Sequence, residues 1–194
     1  MTRTAQPQTP INPLLTQRWS PYTFDPSRAV DRHDLQAIFE AARWTASAFN
    51  AQPWRYIVGN KQTNPKLWQQ VLEVLVEGNQ SWAQHVPVLA LGLVNSQFEH
   101  NGKPNQWAIH DLGAASANLT FEATSRGLSV HQMAGIEPAK AVDTFALDEH
   151  IQPVTALAIG YLGENPALPV DIAQRDQRPR ERKANTDFLI AGSL

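Results

Sequence analysis

Three groups of residues in this 194-residue chain have the types and spacing to hold a small charged ligand. The first is Arg18-Trp19-Ser20. The second is the run from Arg175 to Lys183 (RDQRPRERK), in which five of the sixteen Lys and Arg residues fall. A phosphate gains most from fixed cations backed by short hydroxyl or amide donors, because charge-assisted hydrogen bonds are the strong ones. Arg18 with Ser20, joined by Arg180 or Arg182, would supply that set. On composition alone the run reads instead as a solvated charged segment, with Asp176 and Glu181 partly neutralising it. The third group is the stretch Ser47 to Pro53, where Asn50 and Gln52 offer both donors and acceptors to the edge of a planar ligand. By itself it is a polar loop with Asx-type turn chemistry.

Other chemistries drop out. The chain has no cysteine, which removes disulfides, thiolate metal sites, cysteine-held iron–sulfur clusters and Cys nucleophiles. There is no G-x-G-x-x-G after a strand, no P-loop motif and no G-x-S-x-G elbow. The six histidines (His33, His85, His100, His110, His131, His150) include no pair three or four residues apart, so no metal site is expected. His110-Asp111 is the nearest acid–base unit, but adjacent helical residues point to different sides. A formal net charge of −2 gives no global field for nucleic acid or an anionic membrane.

These groups need a scaffold. Asp31 caps an expected helix whose Leu35, Ile38, Phe39 and Ala42 form one stripe. Trp54 to Val58 fits a short strand, and Pro65 opens a second helix that Gly78 closes. The unbroken apolar run Val86 to Val94 predicts a central strand covered on both faces. Gln106 to Arg126 predicts a helix with Ile109, Leu112, Ala115, Ser116, Leu119 and Ala123 on its buried face and Gly127 as its stop. Leu128 to Met133 and Val154 to Leu162 read as strands separated by a helix from Pro138 to Leu147. Residues 1–17 are expected as a flexible arm without a targeting signal, and residues 18–194 as one domain ending in an extended tail. No apolar run approaches membrane-spanning length, so the expected setting is cytoplasmic.

Together the motifs resemble the FMN-dependent nitroreductase family. The likeness rests on Arg18-Trp19-Ser20, on Ser47-Ala48-Phe49-Asn50-Ala51-Gln52-Pro53-Trp54 after the first helix, and on Glu77 to Ala83, Asp111 to Ala115, His131 to Gly135 and Ile159-Gly160-Tyr161 in the family's order. It implies an α+β, three-layer fold with a mixed sheet flanked by helices, in a homodimer holding one FMN at each end of its interface. Arg18, Trp19 and Ser20 would hold the phosphate and ribityl side, with Arg180 and Arg182 returning from the tail. Asn50 and Gln52 would contact the ribityl chain and the ring, and the backbone amides of Met133, Ala134 and Gly135 would approach flavin N5. The implied cycle is ping-pong: NAD(P)H reduces the flavin, and a nitroaromatic, quinone or similar planar acceptor then reoxidises it, with no side chain needed as acid or base. Many members carry Lys or Arg where this chain has Tyr22, which would line the substrate pocket here with Trp107 as a wall. The alternative is a non-catalytic flavin-binding protein of the same fold, serving storage or sensing.

Overall fold

The computed structural model describes residues 3–192. The outer ends of the expected arm (residues 1 and 2) and tail (residues 193 and 194) lie outside them. Seven helices and four strands follow in the order α1 (Pro13–Gln17), α2 (Arg32–Arg43), β1 (Trp54–Asn60), α3 (Pro65–Glu73), α4 (Glu77–Ala83), β2 (Val88–Asn95), α5 (Ala108–Ser125), β3 (Ser129–Met133), α6 (Pro138–Phe145), β4 (Ile151–Gly160) and α7 (Val170–Arg175). The sheet order is β1-β2-β4-β3.

The continuous apolar reading of β2 is explained by its position. It pairs on both sides, and its side chains alternate between two cores. Leu89, Leu91 and Leu93 face one core, with Trp68, Trp82 and Ala141 from the helices α3, α4 and α6. Val88, Ala90 and Val94 face the other, with Ile38 and Ala42 of α2 and Leu112, Ala115 and Leu119 of α5. Helices therefore cover both faces, the three-layer arrangement of an α+β domain. The described pairings are all antiparallel, where a mixed sheet was expected. Pro153 is tolerated inside β4 because the register shifts opposite Gly92 and Leu93, a bulge that needs no amide donor there.

Several local expectations are corrected. The helix opened by Pro65 does not run to Gly78. It stops at Glu73, because residues 74–76 turn to pair with the chain after β3: Val76 N–H donates to Gly135 O and Glu137 N–H to Val74 O. Gly78 then lies inside the separate helix α4. Ile109 is exposed, and Asp111 takes a buried place on α5 instead. Within the segment expected as an arm, α1 forms behind an Asn12 cap. The tail is not extended throughout, since α7 forms in it.

Candidate functional site

The Arg18-Trp19-Ser20 segment lies against the start of β3. A cavity of about 180 Å³ is lined by Arg3, Arg18, Trp19, Leu128 and Ser129 among others. The Arg18 guanidinium donates a long hydrogen bond (3.4 Å) to Ser20 Oγ, and Arg3 lies 5.0 Å from the Trp19 ring centre. Arg180 returns from the tail as expected, but most of its hydrogen bonding goes to main chain. It donates to the carbonyls of Arg3, Thr16 (2.6 Å) and Arg18 (2.7 Å). Arg180 thereby straps the N-terminal segment to the domain while bringing its charge beside Arg18. Arg182 donates to Glu181 O.

The electrostatics of this cluster are one-sided. Burial, and then the charge of Arg182, hold Arg18 below the ordinary guanidinium value. Burial followed by Arg18, Arg182 and Arg3 does the same to Arg180. Among the described residues none of these four guanidinium groups forms an ion pair with a carboxylate. Four like charges gathered without a counter-charge form a site that an anion would stabilise.

Asp176 departs from its expected part as a solvated counter-charge. It is buried, and its carboxylate accepts from the N–H groups of Tyr22 (2.9 Å) and Thr23 (2.9 Å), fastening the end of α7 to the strand-like segment after Ser20. Composition gave no sign of this, because a carboxylate in a charged run normally looks solvated. Tyr22 is half-buried and packs edge-on against Trp82 (5.2 Å) and His131 (4.8 Å). A larger cavity, about 580 Å³, opens on the side of Trp19 and Thr23 and is also lined by Asn165 and Asp176.

His131 Nδ1 lies 2.8 Å from Pro21 O, which can only accept, so Nδ1 carries the proton. Burial pushes the imidazole below 6.5, outweighing the opposing pull of the Pro21 carbonyl and the Asp176 charge. Between that lowered value and 6.5 the unfolded chain binds more protons, so stability is full above about pH 6.5 and is lost as pH falls through the folded value. The melting temperature is expected to drop between pH 7.5 and 5.5, and to drop less in His131→Asn. An equal drop in both proteins would remove His131 as the cause. His85, lowered by burial and then by Lys61, adds to the same trend.

Met133, the last residue of β3, is buried, and the following Ala134 and Gly135 donate none of the main-chain bonds described outside helices and strands. Gly135 is fixed by its carbonyl, which accepts from Val76 N–H and from Asn79 Nδ2 (3.0 Å). A Cβ at Gly135 would come within 2.6 Å of Asn79 Nδ2. Asn79 was not singled out in sequence, although it sits in one of the motif segments.

The Ser47–Pro53 loop is a 3-10 turn over Ala48–Asn50 with exposed Asn50 and Gln52. Phe49, Asn50 and Gln52 have φ of 54°, 53° and 46°. Left-handed backbone at non-glycine residues costs about 1 kcal/mol or more each and collects at functional sites. Asp111, which the sequence offers only beside His110 and within a motif segment, reaches this loop: Ala48 N–H donates to its Oδ2 at 3.1 Å. Its other oxygen lies 3.3 Å from His110 Nδ1. Trp107 is exposed at the start of α5.

The two ends of the candidate site do not converge within one chain. Trp54, just after the loop, is level with Val94 and, through it, with Gln152, whereas Ser129 beside Arg18 is level with Gly160. Eight residues of β4 separate those levels, about 26 Å at strand rise.

Comparison with known proteins adds four likenesses. A model described as the nitroreductase family matches residues 15–161. A Methanothermobacter thermautotrophicus protein named "Putative NADH dehydrogenase/NAD(P)H nitroreductase" is 28% identical over 144 residues, covering 72% of this chain and 71% of that one. An uncharacterized 15.4 kDa protein of Mycolicibacterium smegmatis is 38% identical over 103 residues, 53% of this chain and 69% of its own. Among solved structures, an oxidoreductase containing FMN superposes with a TM-score of 0.89 at 31% identity, covering 100% of this chain and 98% of that one.

Proposed function

The chain belongs to the nitroreductase family, and from that premise we propose that it is an FMN-dependent oxidoreductase using NAD(P)H to reduce nitroaromatic, quinone or similar planar acceptors, assembled as a homodimer. The observation that carries the cofactor assignment is the group of guanidinium charges around Arg18, which lacks any carboxylate partner among the described residues. That donor set fits a phosphate monoester. Bound there, FMN would supply the redox chemistry between NAD(P)H and the acceptor.

The chain's own residues bind and orient. Arg18, Ser20 and Arg182 hold the phosphate, Trp19 flanks it, and Arg180 adds charge while fixing the segment that carries Arg18. The amides of Ala134 and Gly135, in a segment held through Asn79 and Val76, would stabilise negative charge on the flavin. Asn50 and Gln52 come from the other subunit, a reading supported by the separation of the two ends in one chain. Exposed Trp44, Phe49, Trp107 and Ile109 lie within four residues along the chain of the Ala48–Asp111 bond, and such an apolar surface suits a second copy. A cytoplasmic setting, where NAD(P)H is supplied, goes with this reading.

The test is direct. The purified protein is expected to be yellow with an FMN spectrum that NADH or NADPH bleaches without oxygen. A colourless protein that takes up no added FMN would remove the assignment, and a flavin that neither nucleotide reduces would leave a non-catalytic binder. Arg182→Ala is expected to weaken FMN binding roughly 10-fold, the order of one charge-assisted hydrogen bond. Lys183→Ala should change it less than about 2-fold, because that side chain is exposed and is not among the charges acting on Arg18 or Arg180. Equal binding by both variants would return the tail to a solvated charge run.

A further inference from the structure

The Ser47–Gln52 loop is bent against its own preferences, with left-handed backbone at Phe49, Asn50 and Gln52. Something outside the loop must hold it: Phe49 meets Phe98 edge-on at 5.7 Å, and the long-range hydrogen bonds come from α5. Asn118 Nδ2 donates to the buried Thr45 hydroxyl at 2.7 Å. Seven residues earlier, two turns along the same face, Asp111 accepts from Ala48 N–H at 3.1 Å. Within the loop, Gln52 N–H donates to Ser47 Oγ (2.9 Å), and Arg55 Nη1 donates to Gln52 O (2.9 Å). Those bonds are exposed, whereas Asp111 is only 2% exposed.

A carboxylate at that place is costly for the fold. It stands on the α5 stripe beside Leu112 and Ala115, where an apolar side chain would serve packing better. Its partners are one backbone amide and the Nδ1 of the exposed His110 ring. What the carboxylate gains is control of Ala48, the residue immediately before the left-handed run.

We propose that Asp111 is a positioning residue: through Ala48 N–H it fixes the strained turn that presents Asn50 and Gln52 to the cofactor. This rests on the flavin reading above.

The test is a double-mutant cycle on the full-length protein. Asp111→Leu removes the acceptor and keeps the branching and heavy-atom count of the side chain. Ala48→Pro removes the donor from the outside; it is compatible with the first position of the turn and with the extended backbone of Ser47. Each single variant is expected to raise the FMN Kd at least 10-fold and to speed exchange of the Gln52 amide by a similar factor. The double variant should lose no more than either single one, because both delete one bond. Asp111→Asn keeps an oxygen facing Ala48 and should stay within about 3-fold of wild type. Additive losses, or equal losses for Asp111→Asn and Asp111→Leu, would overturn the proposal. So would wild-type Gln52 exchange and FMN binding in Asp111→Leu. A wild-type protein that binds no FMN overturns the flavin reading and this one together, whereas normal binding that ignores the clasp overturns this one alone. Should Asp111→Leu not fold, Ala48→Pro against Asp111→Asn decides in its place: loss in the first with retention in the second supports the clasp, and equal binding by the two overturns it.

Discussion

Arg18→Ala is expected to weaken FMN binding by roughly 10- to 100-fold while leaving the ligand-free protein no less stable. The two effects have opposite signs for one reason. Arg18 is half-buried among Arg3, Arg180 and Arg182, and burial and like charge already work against its protonated form. Deleting it relieves repulsion in the empty site. With a phosphate present the same charge becomes an asset, since hydrogen bonds to charged groups contribute about 1.5–3 kcal/mol. A titration of FMN and a melt of the ligand-free protein, both at fixed ionic strength, separate the two. Unchanged FMN affinity with a lowered melting temperature would make Arg18 a structural cation. Arg180→Ala should behave differently. Its guanidinium holds three main-chain carbonyls, so its loss should destabilise the free protein by freeing the segment that carries Arg18.

That contrast between two arginines marks what sequence could and could not reveal. Residue type and spacing brought Arg18, Ser20 and the tail arginines into one group, because phosphate chemistry needs those types together. They could not tell a ligand-binding guanidinium from one that fastens backbone, since both look like Arg in a basic run. Asp176 and Asp111 were illegible for the same reason in reverse. A buried carboxylate that accepts backbone N–H bonds is chosen by tertiary geometry, and its sequence neighbours are ordinary polar residues. The sheet was more legible. Strand β2 announced burial on both faces through its unbroken apolar run, and the Asp31 cap is realised, with the Asp31 side chain accepting from His33 N–H. The break between α3 and α4 was not visible, because it depends on residues 74–76 pairing with a segment some sixty positions away. Likewise the antiparallel sheet could not be read from composition, since hydrophobic pattern fixes which faces are covered and not strand direction.

Glycine substitutions should show the same division as a measurement of stability. Gly59, on β1, sits where α3 comes closest to the sheet: a Cβ there would lie 2.4 Å from Trp68 Cα and 2.6 Å from Trp68 N. Both atoms are backbone, so no rotamer change relieves the collision. Either α3 withdraws or β1 bends, and both options open the core around Trp68, Val71 and Leu72. Overpacking of this kind costs about 1–3 kcal/mol and more when backbone must move, so Gly59→Ala is expected at or above roughly 3 kcal/mol of destabilisation. Gly78 is the opposite case. Sequence reading made it a helix stop, but it lies in the first turn of α4 with nothing within 4 Å of a modest Cβ and without positive φ. Gly78→Ala should therefore stabilise by about 0.5 kcal/mol, through helix propensity and a less disordered unfolded chain. Urea unfolding of the two variants checks both signs at once. A mild effect at Gly59 would mean that α3 and β1 can separate freely, and a loss at Gly78 comparable to that at Gly59 would mean that Gly78 is a required stop after all.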